Sequence, residues 1–193
     1  RSDVQTQTGV ENVLRNTPMY NTNFTYTNNA GKNVSIKYSK AFMEAAAASK
    51  VSPYHLASRV KQEVVISSTM MSSSVSGNVA GYKGIYNFYN IGANSGANAV
   101  KNGLKWASTG TDYSRPWNNR YRSIYGGACY IGKQYINVGQ NTLYLQKFNV
   151  TATKRYDHQY MANIEAPNNE ATKTANAYGS DKDNTPIVFS IPV

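Results

Sequence analysis

This 193-residue chain has one cysteine, two histidines and few charges for its length. Cys129 has no partner for an internal disulfide. In Gly127-Ala128-Cys129-Tyr130-Ile131 it reads as a small buried hydrophobe rather than a nucleophile. With only His55 and His158 there is no Cys/His cluster at metal-ligand spacing, so neither a metal nor another cofactor is expected. No apolar run is long enough to span a bilayer and no leader pattern opens at Arg1, so no membrane span is expected, and targeting modules are expected outside these residues. Acidic side chains are half as many as basic ones, 10 against 20, giving a net charge of +10. A basic excess suggests an anionic partner, with nucleic acid and an anionic cell wall as the two candidates. The basic residues are scattered and form no dense run. Without an interleaved aromatic signature they do not make a nucleic-acid footprint, and simple solubility explains them equally well.

Tyrosine is unusually common, at 16, and Asn and Ser are abundant. Such a surface suits polar, hydrogen-bonding ligands, and aromatic faces can stack on sugar rings. The most informative segment is Ser52-Pro53-Tyr54-His55-Leu56-Ala57-Ser58-Arg59-Val60-Lys61-Gln62-Glu63. Ser52 is a good helix N-cap, and Pro53 sits where a first helical residue needs no N–H. Leu56, Val60 and Val64 mark an apolar stripe at helical spacing. Seven residues at about 100° each bring Glu63 about 20° from Leu56, near the middle of that stripe. Burial disfavours the charged carboxylate, and a protonated Glu is what an enzyme needs to give a proton to a leaving oxygen. Against this, Arg59 lies four residues back, where an ion pair would make Glu63 structural. The segment alone leaves both readings open.

Around this helix the pattern is mainly helical, with a small β portion (α+β). Phe24–Thr27 and Val34–Tyr38 alternate about Asn28-Asn29-Ala30-Gly31, which predicts a hairpin. Helices are predicted at Lys40–Lys50, around Val100-Leu104-Ala107, Ile124-Ala128-Ile131-Tyr135 and Leu145-Phe148, and again over Tyr156-Tyr160-Ile164. Ile187–Ile191 predicts a strand. Ser67 to Gly96 is Ser, Gly, Asn and Tyr with little periodicity, a long irregular lobe of the kind that is usually functional. One domain is expected over 1–193: an extension with the hairpin over 1–39, a core over 40–166 and a tail over 167–193. A cleft between the helical lobe and the irregular one would have Glu63 at its floor.

Several blocks follow one another in order within roughly 40–166: Ser52–Arg59 through Gln62-Glu63, Tyr86-Asn87-Phe88-Tyr89-Asn90-Ile91-Gly92-Ala93, Gly103–Ala107, Arg115-Pro116-Trp117, Ser123–Ala128, Tyr135-Ile136, Gly139–Val150 and His158-Gln159-Tyr160-Met161. Together they resemble family 73 of the glycoside hydrolases, the bacterial N-acetylglucosaminidase autolysins, particularly the clostridial type. The resemblance implies a lysozyme-like fold with a substrate cleft and cleavage of peptidoglycan after N-acetylglucosamine, by a secreted, wall-associated monomer. It implies that Glu63 is the catalytic acid and that Tyr160 stands opposite it. It gives substrate-binding roles to Tyr86, Asn87, Phe88, Asn90, Gln62, Trp117, His158 and Gln159. Tyr160 also fits a core position four residues after Tyr156, Phe88 fits packing, and Trp117 is either a packed anchor or a sugar platform.

Glycosidases commonly use two carboxylates. Here no Asp or Glu occurs between Glu63 and Asp112, so a base in the irregular lobe is excluded. The expectation is a single-carboxylate mechanism assisted by the substrate's own 2-acetamido group, with Tyr160 orienting that amide or the water. A muramidase or lytic transglycosylase is the alternative within carbohydrate chemistry. A non-catalytic wall-binding module is the alternative outside it.

Overall fold

In the computed structural model, the described residues are 4–94, 96–152, 155–159 and 164–177. Helix α1 (Gln7–Leu14) is capped by Thr6, whose hydroxyl accepts from Gly9 N–H at 3.1 Å, and it buries Val10, Val13 and Leu14 completely. The predicted hairpin follows as β1 (Asn23–Thr27) and β2 (Asn33–Lys37), antiparallel, with Phe24 opposite Ile36. Period-2 alternation turns both of these toward the core. The Asn28 side-chain oxygen closes the turn by accepting from the N–H groups of Ala30 and Lys32, both at 3.0 Å.

Helix α2 (Tyr38–Ser49) starts directly from β2, two residues before the predicted start, and packs along α5 (Arg120–Gln134). Its Ala-rich face explains the close approach: Ala41, Ala45 and Ala46 are buried. Helix α3 (Pro53–Val64) crosses α1 and α2 and begins as read, with Ser52 Oγ accepting from His55 N–H at 3.2 Å. The predicted helices α4 (Ala99–Ser108) and α6 (Leu143–Phe148) are present. Asn119 caps α5 and Thr142 caps α6, each accepting a backbone N–H three residues on. No helix among the described residues is long and apolar enough to cross a membrane.

The segment between α3 and α4 is irregular, as its composition predicts. It holds one bridge, Val65 to Met71, and one 3-10 turn, Ser73–Val75. The helix predicted over Tyr156-Tyr160-Ile164 is a correction. Residues 155–159 are turns, with Tyr156 at φ 68° and His158 at φ 55°, and the final helix, α7, spans Ala166–Ala177. The backbone groups of Tyr156 and Asp157 are taken by Asn149, which removes them from a helical ladder. Pro167 suits the first turn of α7, where its missing N–H leaves no bond unmade. The predicted strand at 187–191 lies outside the described residues. The molecule is thus mainly helical with a small two-stranded sheet.

Candidate active site

Glu63 is on the last turn of α3, half-buried, beside a stripe in which Leu56, Val60 and Val64 are enclosed by the core. Asn90 meets it: the amide nitrogen donates to the Glu63 carbonyl at 2.9 Å and to its carboxylate Oε2 at 3.2 Å. Asn90 itself sits at φ 49°, a left-handed conformation that Asn tolerates better than most side chains. One amide therefore ties both the backbone and the head group of the acid to the opposite loop. Gln62 is half-buried next to Glu63.

The residues before Asn90 explain how that loop is held. Asn87 is wholly buried; its amide donates to the carbonyls of Ile91 at 2.8 Å and Gly103 at 3.0 Å, and its oxygen accepts from Ile91 N–H. A Cβ on Gly103 would stand 3.0 Å from that amide, so the glycine leaves room for the tie to α4. Phe88 is wholly buried and its N–H donates to Ser123 Oγ on α5 at 3.0 Å. Tyr89 packs against Gly127, where a Cβ would stand 2.2 Å from its ring. Trp117 is wholly buried, its indole N–H donating to the Tyr113 carbonyl at 2.8 Å, and its backbone oxygen accepts from Tyr86 N–H. Asn87, Phe88 and Trp117 are enclosed, so any part they take in binding is exerted through the loop they hold. Tyr86 is half-buried, with the Arg120 guanidinium 5.0 Å from its ring centre.

The His158 segment is held by two buried amides. Gln140 donates to the carbonyls of Leu145 and His158, each at 3.1 Å, and turns its oxygen to His158 Nδ1 at 3.2 Å. With both amide hydrogens committed to carbonyls, the oxygen faces the ring, and the neutral imidazole carries its proton on Nδ1. Asn149 accepts from Tyr156 N–H at 2.7 Å and donates from its side chain to the Asp157 carbonyl. Tyr135 stacks on the imidazole, 4.5 Å between centres and 11° between planes. Gln159 is exposed, and Tyr160 lies outside the described residues.

Several other acids among the described residues are committed elsewhere or exposed. Glu44 accepts from the Tyr121 hydroxyl at 2.8 Å; burial first, then that bond, raises the phenol's pKa well above its ordinary value. Asp112 is exposed beside Arg115, and Asp157 accepts from His158 N–H at 2.7 Å. Glu170, which the linear sequence leaves in the tail, is brought by α7 to Arg59, 3.4 Å away and almost wholly buried on α3. The ion pair foreseen for Arg59 thus includes an acid from the far end of the chain. At the start of α3, burial and then the Arg59 charge push the His55 pKa down to about 4. Its ring is neutral at pH 7, with the enclosed Nε2 lacking a hydrogen-bond partner among the described residues.

No family model matches the chain. It is 30% identical over 166 residues to the beta-N-acetylglucosaminidase of Bacillus subtilis (strain 168), a match that takes in 84% of this chain. It is also 35% identical over 83 residues to a bifunctional autolysin of Staphylococcus epidermidis, 43% of this chain. The chain is a homologue of the bacterial N-acetylglucosaminidase autolysins. It spans 17% of the length of the B. subtilis relative and 6% of the S. epidermidis one. Solved structures agree on the fold. A catalytic glutamate-to-alanine mutant of S. aureus autolysin E, in complex with the disaccharide NAG-NAM, superposes with a TM-score of 0.59 at 18% identity, covering 90% of this chain and 67% of that one. S. aureus glucosaminidase B gives 0.58 at 24% identity, covering 89% and 59%.

In this autolysin homologue, sequence blocks led to Glu63, Asn90 and His158 but not to the amides that hold the His158 segment. Gln140 and Asn149 fall inside a matching block without standing out from it. Their signal is indirect: two amides in a short polar segment that buries nearly completely.

Proposed function

We propose that this chain is a peptidoglycan hydrolase domain that cleaves the β-1,4 bond between N-acetylglucosamine and N-acetylmuramic acid, with Glu63 as general acid. The observation that carries the reading is the Asn90 tie to Glu63, which fixes a half-buried carboxylate at the end of α3 against the irregular lobe. A binding module has no need to orient an acid in this way. The names of the homologues support the bond assignment, and the secreted, wall-associated setting follows from the same reading. The basic surface would hold the domain against anionic wall polymers.

The mechanism we favour uses one carboxylate. Glu63 protonates the glycosidic oxygen, and the 2-acetamido carbonyl of the sugar attacks its own anomeric carbon from within. Water then opens the cyclic intermediate, returning a proton to Glu63. Tyr160 orients the acetamide or the water. Support comes from the absence of acids between Glu63 and Asp112 and from the engagement of Glu170 by Arg59. Asp112→Asn, Asp157→Asn and Glu170→Gln should each retain turnover; loss as complete as that of Glu63→Gln in any one would replace this mechanism with a two-acid one.

The deciding experiment digests purified peptidoglycan, reduces the products with borohydride and identifies the fragment ends by mass spectrometry. Ends of reduced N-acetylglucosamine, missing with Glu63→Gln, are expected. Reduced or anhydro N-acetylmuramic acid ends would move the chain to the muramidase or transglycosylase class. No fragments from either protein would make it a wall-binding module.

A further inference from the structure

The β1–β2 hairpin and the start of α5 enclose a groove whose lining does not include Glu63. It has two halves, with volumes of about 480 Å³ on one side and about 730 Å³ on the other. Both halves share Asn28, Asn29 and Arg122, and a hydrogen bond of 2.8 Å from Arg122 to the Asn29 oxygen runs between the elements there. Cavities of this size hold small organic ligands.

The lining is chemically uniform. Every side chain in both halves is Tyr, Thr, Ser, Asn or Arg; none is acidic and none is aliphatic. Such walls exclude a lipid tail or an apolar helix, which need hydrophobic surface to bury. They suit a ligand dense in hydroxyl and amide groups. The walls are also stiff. Tyr26 of the hairpin stacks on Tyr121 of α5, 4.5 Å between centres and 4° from parallel, and Tyr121 is anchored through its hydroxyl to Glu44. Tyr125 continues the column at 5.9 Å and lines the groove half-exposed. A surface held this way loses little freedom when a ligand arrives. Tyr86, which lines the larger half, lies four residues before the Asn90 that holds Glu63.

We infer that this groove is a second binding site, for a polysaccharide strand carrying acetamido and carboxylate groups, which holds a long glycan on the hairpin side of the domain. The inference rests on the reading of the chain as a peptidoglycan hydrolase. The hairpin residues of the groove fall outside the blocks that carry the family resemblance, whereas Tyr86, Arg115 and Tyr125 fall within them. A phosphate-bearing anionic polymer is the competing ligand. Arg122 and Arg115 give it some attraction, but Arg115 is already engaged with Asp112 and with the Trp106 ring.

The test measures binding of end-labelled, peptide-free glycan strands by fluorescence anisotropy, in the Glu63→Gln background so that no strand is cut. Tyr125→Ala and Arg122→Ala should each weaken long-strand affinity about tenfold. Thr25→Trp, which fills the larger half from an exposed strand position, should do the same. With Glu63 intact, turnover of a tetrasaccharide should be unchanged by all three, and thermal unfolding should show each variant folded. Long-strand affinity within about twofold of the parent for all three would overturn the site. Tighter binding of a phosphate polymer than of glycan, lost steeply as salt rises, would also overturn it in favour of a polyanion surface. Continued cutting by Glu63→Gln would instead sink the catalytic reading, and it would show as falling anisotropy over time rather than as altered affinity.

Discussion

Replacing Gln140 by Leu keeps side-chain bulk close to that of the native residue and removes three hydrogen bonds. The bonds to the Leu145 and His158 carbonyls and to His158 Nδ1 all depend on one amide that is 2% exposed. At about 1 kcal/mol net for each buried bond, the variant loses about 3 kcal/mol of hold on the His158 segment. Asn149 and the Tyr135 stack still act on neighbouring atoms, so the segment should loosen rather than the domain unfold. A latch weakened by about 3 kcal/mol lowers the population of the aligned arrangement by up to about a hundredfold. The expected result is a fall in kcat on purified glycan with a smaller change in KM, while most of the urea-unfolding transition is retained. Nitrogen NMR gives an independent readout: the neutral His158 ring should be protonated at Nδ1 in the native protein and lose that preference in Gln140→Leu. With only two histidines in the chain, assignment is direct. Native kcat together with an altered tautomer would show that the clamp serves the fold alone. An unaltered tautomer would refute the reasoning about the amide itself.

Two further outcomes follow from the same geometry. Asn90→Gly should keep the left-handed backbone at little cost yet lose the tie to Glu63, lowering turnover about ten- to a hundredfold with stability nearly unchanged; full activity in a stable Gly variant would show that the amide does not position the acid. His55 has a folded pKa of about 4 against an ordinary 6.5, so between those values the unfolded chain binds more protons, and stability falls as pH drops through that window. The full difference is worth about 3 kcal/mol, and urea unfolding of the native protein and His55→Asn at several pH values should show the native protein losing this much more toward pH 4. A gap between the two that stays constant with pH would refute it.

The local signals were legible because they depend on neighbours in the chain. Ser52 and Pro53 open α3 whatever it packs against, and the alternation about Asn28-Asn29 makes a hairpin by turn chemistry. The ordered blocks were enough to lead to Glu63 and Asn90. What the linear text misled on was the stretch after α6, where Tyr156, Tyr160 and Ile164 mimic helical spacing. Only the fold supplies Asn149, whose bonds to the 156–157 backbone compete with a helix there. Likewise the sequence leaves Glu170 in a tail, whereas packing of α7 on α3 brings it to Arg59 across 111 positions. Periodicity and capping act over a few residues and so are written in the sequence. Which amide satisfies which carbonyl, and which acid meets which base, is decided when distant segments are buried together, because there every polar group must find its partner.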